Sequence, residues 1–222
     1  MKKSEHISNK FYKNLSARGL AALVSEHRTK DDLKLIKSLS KKSDKILDLA
    51  CGYGRITIPL AKSGYNVVGI DLATNLIREA KLRAKKQGLK VHFNIGSMTK
   101  LPYKAQSFDK IFCLWSSFNH LLTRAEQVKA LNEMYRVLKP DGLAFLEMIN
   151  AEKKKIAEKV KKEGVGTDKR IWGEVFNGVK NLDYMHSRKT LKAVCEKSKF
   201  ELFRVRFSNL HRRRRIVAEL YK

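Results

Sequence analysis

Two aspartates and two glycines in one short stretch carry the first chemical signal. Lys45 to Arg55 reads Lys-Ile-Leu-Asp-Leu-Ala-Cys-Gly-Tyr-Gly-Arg, and after a helical segment comes Tyr65-Asn-Val-Val-Gly-Ile-Asp71-Leu72. Glycine at 52 and 54 lets the backbone turn sharply and approach a ligand closely. Asp71 falls 19 residues after Gly52, near the spacing at which a carboxylate meets a ribose in nucleotide-binding βαβ units. These residues predict a ligand crevice.

To position them, the chain needs a buried strand, a turn, a helix and a second buried strand. Ile46, Leu47 and Leu49 supply an apolar run suited to a strand covered on both faces. A helix is expected from Arg55 to Ser63, with Gly64 to end it, then a strand over Asn66–Ile70 and a helix over Thr74–Gln87, stopped by Gly88. Further strands are read at Lys90–Ile95, Lys110–Leu114 and Leu143–Ile149. A helix ending near Leu138 precedes the last of these, with Lys139-Pro140-Asp141-Gly142 as a breaker. Alternation at this spacing argues an open, mostly parallel, Rossmann-like α/β sheet with helices on both faces. Phe200–Phe207 and Ile216–Tyr221 fit a closing antiparallel hairpin. The expected layout is one domain over residues 1–222, with an N-terminal helical cap (1–43) and an insertion or lid (151–186).

Composition narrows the function. Lys and Arg number 48 against 22 Asp and Glu, a formal charge of +26. That points to an anionic partner, RNA first, or to lysines scattered over solvated helix faces. Lys153–Lys162 and Arg212–Arg215 are the clusters that could form a docking surface. No run approaches the ~18 apolar residues of a membrane span, and no secretory signal is read at the start. Cys51, Cys113 and Cys195 lie far apart, which fits reduced thiols in a cytoplasmic protein and no metal site. Cys51 reads as a small residue fitting the turn.

The glycine turn lacks the lysine of a P-loop, and Thr57 stands where a dinucleotide motif wants its third glycine. Asp48-Leu-Ala-Cys-Gly-Tyr-Gly, Asp71, Ser107-Phe108-Asp109 and Leu138-Lys-Pro-Asp-Gly142 together resemble the class I S-adenosylmethionine-dependent methyltransferases, over roughly Lys45 to Ile149. The resemblance implies that backbone at Ala50, Cys51, Gly52 and Gly54 lies along the methionine part of S-adenosylmethionine. Asp48 would bond near its amino group or order the turn. Asp71 would accept both ribose hydroxyls, Leu72 and Met98 would pack on the adenine, and Leu114 and Trp115 would line the methionine side. After the third strand the family commonly has an acid for the adenine amine; this chain has Ser97, which leaves that contact weaker or made by backbone.

Methyl transfer needs alignment above all, and a base only if the acceptor loses a proton early. His120 is the candidate base, with a surface or helix-start histidine as the alternative reading; His186 and Tyr184 are weaker candidates. Trp172 and Phe176 are read as an apolar lid or as packing. Cys113-Leu-Trp-Ser-Ser-Phe118 is unlike the Asn/Asp-Pro-Pro-Tyr/Phe of exocyclic-amine branches, and no Pro-Cys pair marks a pyrimidine C5 branch. Three readings stay open: a small-molecule methyltransferase, an RNA or protein methyltransferase docking through the basic clusters, and an inactive nucleic-acid-binding module on the same scaffold.

Overall fold

The fold is built outward from Lys45–Leu49 (β1), whose side chains alternate between two buried layers. In a computed structural model, residues 3–173, 175, 176, 178–209 and 214–222 are described. Lys3–Ala22 (α1) and Glu26–Leu39 (α2) precede β1, and Thr57–Lys62 (α3), Asn66–Asp71 (β2), Thr74–Lys86 (α4) and His92–Ile95 (β3) follow it. Phe108–Cys113 (β4), a 3-10 turn at Ser117–His120, Arg124–Val137 (α5) and Leu138–Met148 (β5) complete the parallel part. Then come Lys154–Glu163 (α6), the short strands Ile171–Trp172 (β6), Val175–Phe176 (β7), Val179–Lys180 (β8) and Asp183–Tyr184 (β9), and Arg188–Cys195 (α7). Leu202–Ser208 (β10) and Arg215–Tyr221 (β11) close the chain.

The seven-stranded sheet runs β10-β11-β5-β4-β1-β2-β3, parallel from β5 to β3 and antiparallel at β11 and β10. Successive side chains of a strand face opposite sides. Leu47, Leu49, Ile111, Leu146 and Ala218 pack with α5 and α7, whereas Ile46, Phe112, Phe145 and Val217 pack with Ile36 of α2 and Leu60 of α3. Each of the buried Leu, Ile, Val and Phe side chains contributes about 1.5–3 kcal/mol, an upper figure because the unfolded chain is not fully extended. The chain leaves β1 for β2 on one side, and β4 lies on the other. Strand order therefore reverses at β1, and the crevice lies beyond the carboxyl ends there.

Two features depart from the sequence reading. The Lys139–Gly142 breaker lies inside β5, which begins at Leu138; Phe108 pairs with Leu138 but Lys110 with Leu143, so the extra residues bulge outward. The carboxyl terminus fastens this bulge: Asp141 N donates to Lys222 O at 2.8 Å and Lys222 N to Gly142 O at 3.1 Å. The glycine-containing loop after α6 holds two two-stranded ribbons, β6 with β9 and β7 with β8. Two residues per strand are too few for a period to show. Of the Arg212–Arg215 cluster, Arg212 and Arg213 lie outside the described residues, as does the side chain of Phe176.

His186 is fully buried between Phe118 and Tyr184, with ring centroids 5.8 and 4.7 Å away. Among the described residues neither ring nitrogen has a hydrogen-bond partner. Burial, with Arg170 and Arg124 nearby, pushes its pKa down to about 3. The folded state thus holds it neutral while the unfolded chain charges it below about 6.5. Its contribution is complete above that value and is lost as pH falls toward 3, with a limiting slope of about 1.4 kcal/mol per pH unit. His186→Phe should flatten the fall in urea midpoint between pH 7 and pH 5; an unchanged fall would place the acid sensitivity elsewhere.

Candidate active site

Beyond the carboxyl ends of β1, β2 and β4 lies a cavity of about 1030 Å³ including its mouth, the size range of a cofactor site. Its floor is the turn after β1. Ala50, Gly52 and Gly54 take φ of 63, 55 and 82°, which a side chain makes costly. The turn is fastened from three sides. Cys51 N donates to Ile70 O at 3.0 Å, Gly52 N donates to Asp71 Oδ2 at 2.8 Å, and Thr57 Oγ1 donates to Asp48 Oδ2 at 2.6 Å. The second oxygen of Asp71 accepts the Ala73 N–H at 2.8 Å, which seats the start of α4. Each carboxylate oxygen can still accept a further hydrogen. Burial raises the pKa of Asp71, opposed by those backbone N–H groups, and raises Asp48 to about 6, opposed by Thr57.

The opposite wall comes from the N-terminal helix. Leu20 lies against Gly52, where an added Cβ would sit 3.4 Å from it. Tyr12 Oη is 2.7 Å from His120 Nε2, and His120 Nδ1 is 3.0 Å from Asp183 Oδ1. Asp183 takes the Nδ1 hydrogen, which leaves Nε2 to accept from the tyrosine. Burial, Asp183 and Asp71 all hold Tyr12 protonated by raising its pKa. At the end of β3, Ser97 Oγ donates to the Glu5 carboxylate of α1 at 2.5 Å, and Thr99 Oγ1 donates to the same oxygen at 3.1 Å.

A third wall is Trp115, which with Ser116 leaves β4 at φ of 53 and 64°. So bulky a residue stays there only if its surroundings hold it. Glu147 of β5, fully buried, accepts the Trp115 N–H at 2.7 Å. It also accepts from Arg28 at 3.2 Å and from Arg215, which reaches Ser116 as well. The Arg28 and Arg55 guanidinium groups lie 5.6 and 5.9 Å from the Trp115 ring centre, and Arg55 pairs with buried Asp32 at 2.7 Å.

Of the residues marked in the sequence, Asp48, Ala50, Cys51, Gly52, Asp71, Leu72, Ser97, Met98, Leu114, Trp115 and His120 all line this cavity. Gly54 does not. It is needed for packing, since a Cβ there would lie 2.9 Å from Ile58 and 3.2 Å from Phe93. Cys51 is buried with its thiol pKa well raised by burial, as befits a turn residue. His120 stands at neither the surface nor a helix start. His186 and Tyr184 are outside the lining, the latter donating to Asp168. Trp172 also lies outside it, bonding Glu163 at 3.0 Å under Lys159. Sequence reasoning missed Tyr12, Glu5 and Arg55 as wall residues. Tyr12 and Leu20 fall within the expected N-terminal helical cap (1–43), and nothing in sequence ties α1 to the ends of β1 and β3.

Residues 46–142 match the family described as "Methyltransferase domain". That stretch is similar to methyltransferase domains. Among curated methyltransferases, a putative methyltransferase of Geobacillus sp. strain WCH70 is 34% identical over 116 residues, 52% of this chain and 47% of the relative. A demethylmenaquinone methyltransferase of Lactobacillus johnsonii is 40% identical over 116 residues, 49% of this chain and 46% of that one. The chain spans about half the length of the first curated relatives it matches. In fold it is similar to a Methanosarcina mazei S-adenosylmethionine-dependent methyltransferase, with TM-score 0.71 at 23% identity, over 84% of this chain and 95% of that one.

The structure divides the arginine cluster expected to form a docking surface. Arg214 is exposed and lies 3.8 Å over the Phe207 ring, whereas Arg215 is buried on Glu147. A Ser at 215 would leave a buried carboxylate short of one partner, a change that costs about 3 kcal/mol. Arg215→Ser should lower the denaturant midpoint accordingly and loosen Trp115, read as altered tryptophan fluorescence. Arg214→Ser should leave both near wild type.

Proposed function

We propose that the protein transfers a methyl group from S-adenosylmethionine to a small-molecule acceptor, with His120 as the proton acceptor. What carries this reading is the two-ended cavity. A glycine turn buttressed by Asp71 forms one end and an Asp183-backed imidazole the other. The lining chemistry fits the cofactor: carboxylates for its ammonium, ribose hydroxyls and amine, Arg55 for its carboxylate, and Leu72, Leu76 and Met98 for its flat base. When bound, the cofactor supplies a methyl on a cationic sulfur, open to in-line displacement.

In this reading Asp71 holds the ribose with the lone pairs it does not spend on Gly52 and Ala73, and Asp48 and the 50–53 backbone hold the amino-acid end. Leu114 and Trp115 exclude water beside the reacting centre. Burial works against an imidazolium at His120. Asp183 in contact, then the Leu182 carbonyl and Asp71, nonetheless carry its pKa above the ordinary histidine value. Neutral His120 accepts at Nε2, through or beside the Tyr12 hydroxyl, and Asp183 stabilises the charge that results.

A small acceptor is supported by the cavity being roofed by α1 and walled largely by apolar side chains, and by the demethylmenaquinone relative. RNA draws support from the +26 charge and from the α6 lysines, most of which are exposed. Three buried free thiols accord with a cytoplasmic setting, and among the described residues no helix is long and apolar enough to cross a membrane.

Two measurements test the reading. Calorimetric titration should show S-adenosylmethionine binding that Asp71→Asn weakens at least about tenfold, the loss of one charge-assisted bond; unchanged affinity would remove Asp71 from the site. Labelled methyl transfer into fractionated cell extract should place the label in small molecules, and label in RNA would overturn the acceptor class. With that acceptor, kcat should rise with pH through a value above 6.5, where His120 loses its proton, and Asp183→Asn should move the rise to lower pH.

A further inference from the structure

The geometry points to Glu5, on α1, as the carboxylate that reads the exocyclic amine of the cofactor's adenine, an inference that rests on the cofactor reading above. The sheet order β1-β2-β3 sets the direction of the bound molecule. With its ribose at Asp71, at the end of β2, and its amino-acid end along the glycine turn after β1, its base must extend past β2 toward β3. The wall there is Gly96, Ser97 and Met98, with Glu5 across from them.

The polar atoms at that end converge on one oxygen. Ser97 Oγ lies 2.5 Å and Thr99 Oγ1 3.1 Å from Glu5 Oε1, so both hydroxyl hydrogens can turn to the carboxylate. The loop therefore presents no acidic side chain of its own, and the negative charge comes from the helix. An aromatic amine is a donor, for which a carboxylate is the strong partner. A carbonyl oxygen in the amine's place would face like charge, so Glu5 sets specificity as well as affinity.

α1 is tied down on both sides of this residue, so Glu5 is held at the cavity and does not arrive there as a loose tail. Ser4 Oγ donates to Glu126 at 2.7 Å and accepts the Leu122 N–H at 3.3 Å. One helical stretch later, Asn75 Nδ2 donates to Tyr12 O at 3.2 Å. The role of the missing acid after β3 has in this way passed to a different element of the chain.

The test is a pair of calorimetric titrations with S-adenosylhomocysteine and S-inosylhomocysteine, which differ by an amine against a carbonyl. The wild type should prefer the adenosyl compound by about 10- to 100-fold, the range of a hydrogen bond to a charged group. Glu5→Ala should reduce that ratio to near one, and Glu5→Gln, which keeps the packing, should reduce it in part. Glu5→Ala/Ser97→Asp, which returns a carboxylate to the loop, should restore it. A Glu5→Ala or Glu5→Gln ratio equal to wild type would overturn the inference, as would a double variant that binds both compounds alike. Wild-type protein that binds neither compound would instead overturn the cofactor reading.

Discussion

The cavity exists because the Asp71 carboxylate accepts the Gly52 N–H on one oxygen and the Ala73 N–H on the other. The chain leaves β1 through three residues at positive φ, a conformation with little intrinsic preference and several backbone donors to satisfy. One ionised side chain, delivered by the next strand, satisfies a donor of that turn and one at the head of α4. The same carboxylate keeps acceptor capacity toward the cavity, so its structural part and its proposed binding part coincide. Separating them by mutation requires reading stability and affinity together.

Glu147 repeats this logic across the switch point. It holds the Trp115 N–H at the end of β4, and it is itself balanced by Arg28 from α2 and Arg215 from β11. Burying an ion pair is costly, and its net contribution to stability is small or unfavourable compared with apolar packing. What it supplies here is position: a bulky residue in a left-handed turn, a cavity wall, and a link from the second helix and the last strand to the site. The excess positive charge of the chain is therefore not all surface. Arg28, Arg55 and Arg215 are spent inside, next to the cavity.

The N-terminal helix completes the enclosure. Ser4, Glu5, Tyr12 and Leu20 meet the loops after β4, β3 and β1, and the helix breaks its own geometry at Ser16, with φ 61 and ψ 167°, between Tyr12 and Leu20. The α5 capping box is shared in this contact, because Glu126 both caps Thr123 and receives the Ser4 hydroxyl.

The linear chain by itself determined the sheet, the glycine turn and the clustering of Asp48, Asp71, Ser97, Trp115 and His120 along one edge. Strand hydrophobicity, glycine chemistry and the order of elements are local properties, and alternation of strands and helices leaves few topologies. The ends of elements were less legible: β5 runs through Pro140 and Gly142 because the β4 register and the carboxyl-terminal Lys222 accommodate a bulge, which no local signal announces. Only the tertiary structure decided which residues face the cavity from afar. Tyr12 reaches His120 across 108 positions, Glu5 reaches Ser97 across 92 and Arg215 reaches Glu147 across 68. A tyrosine, a glutamate and an arginine each suit a solvated helix or strand face equally well. Their partners are chosen by how α1 and β11 pack on the sheet, and a side chain's chemistry carries no record of that.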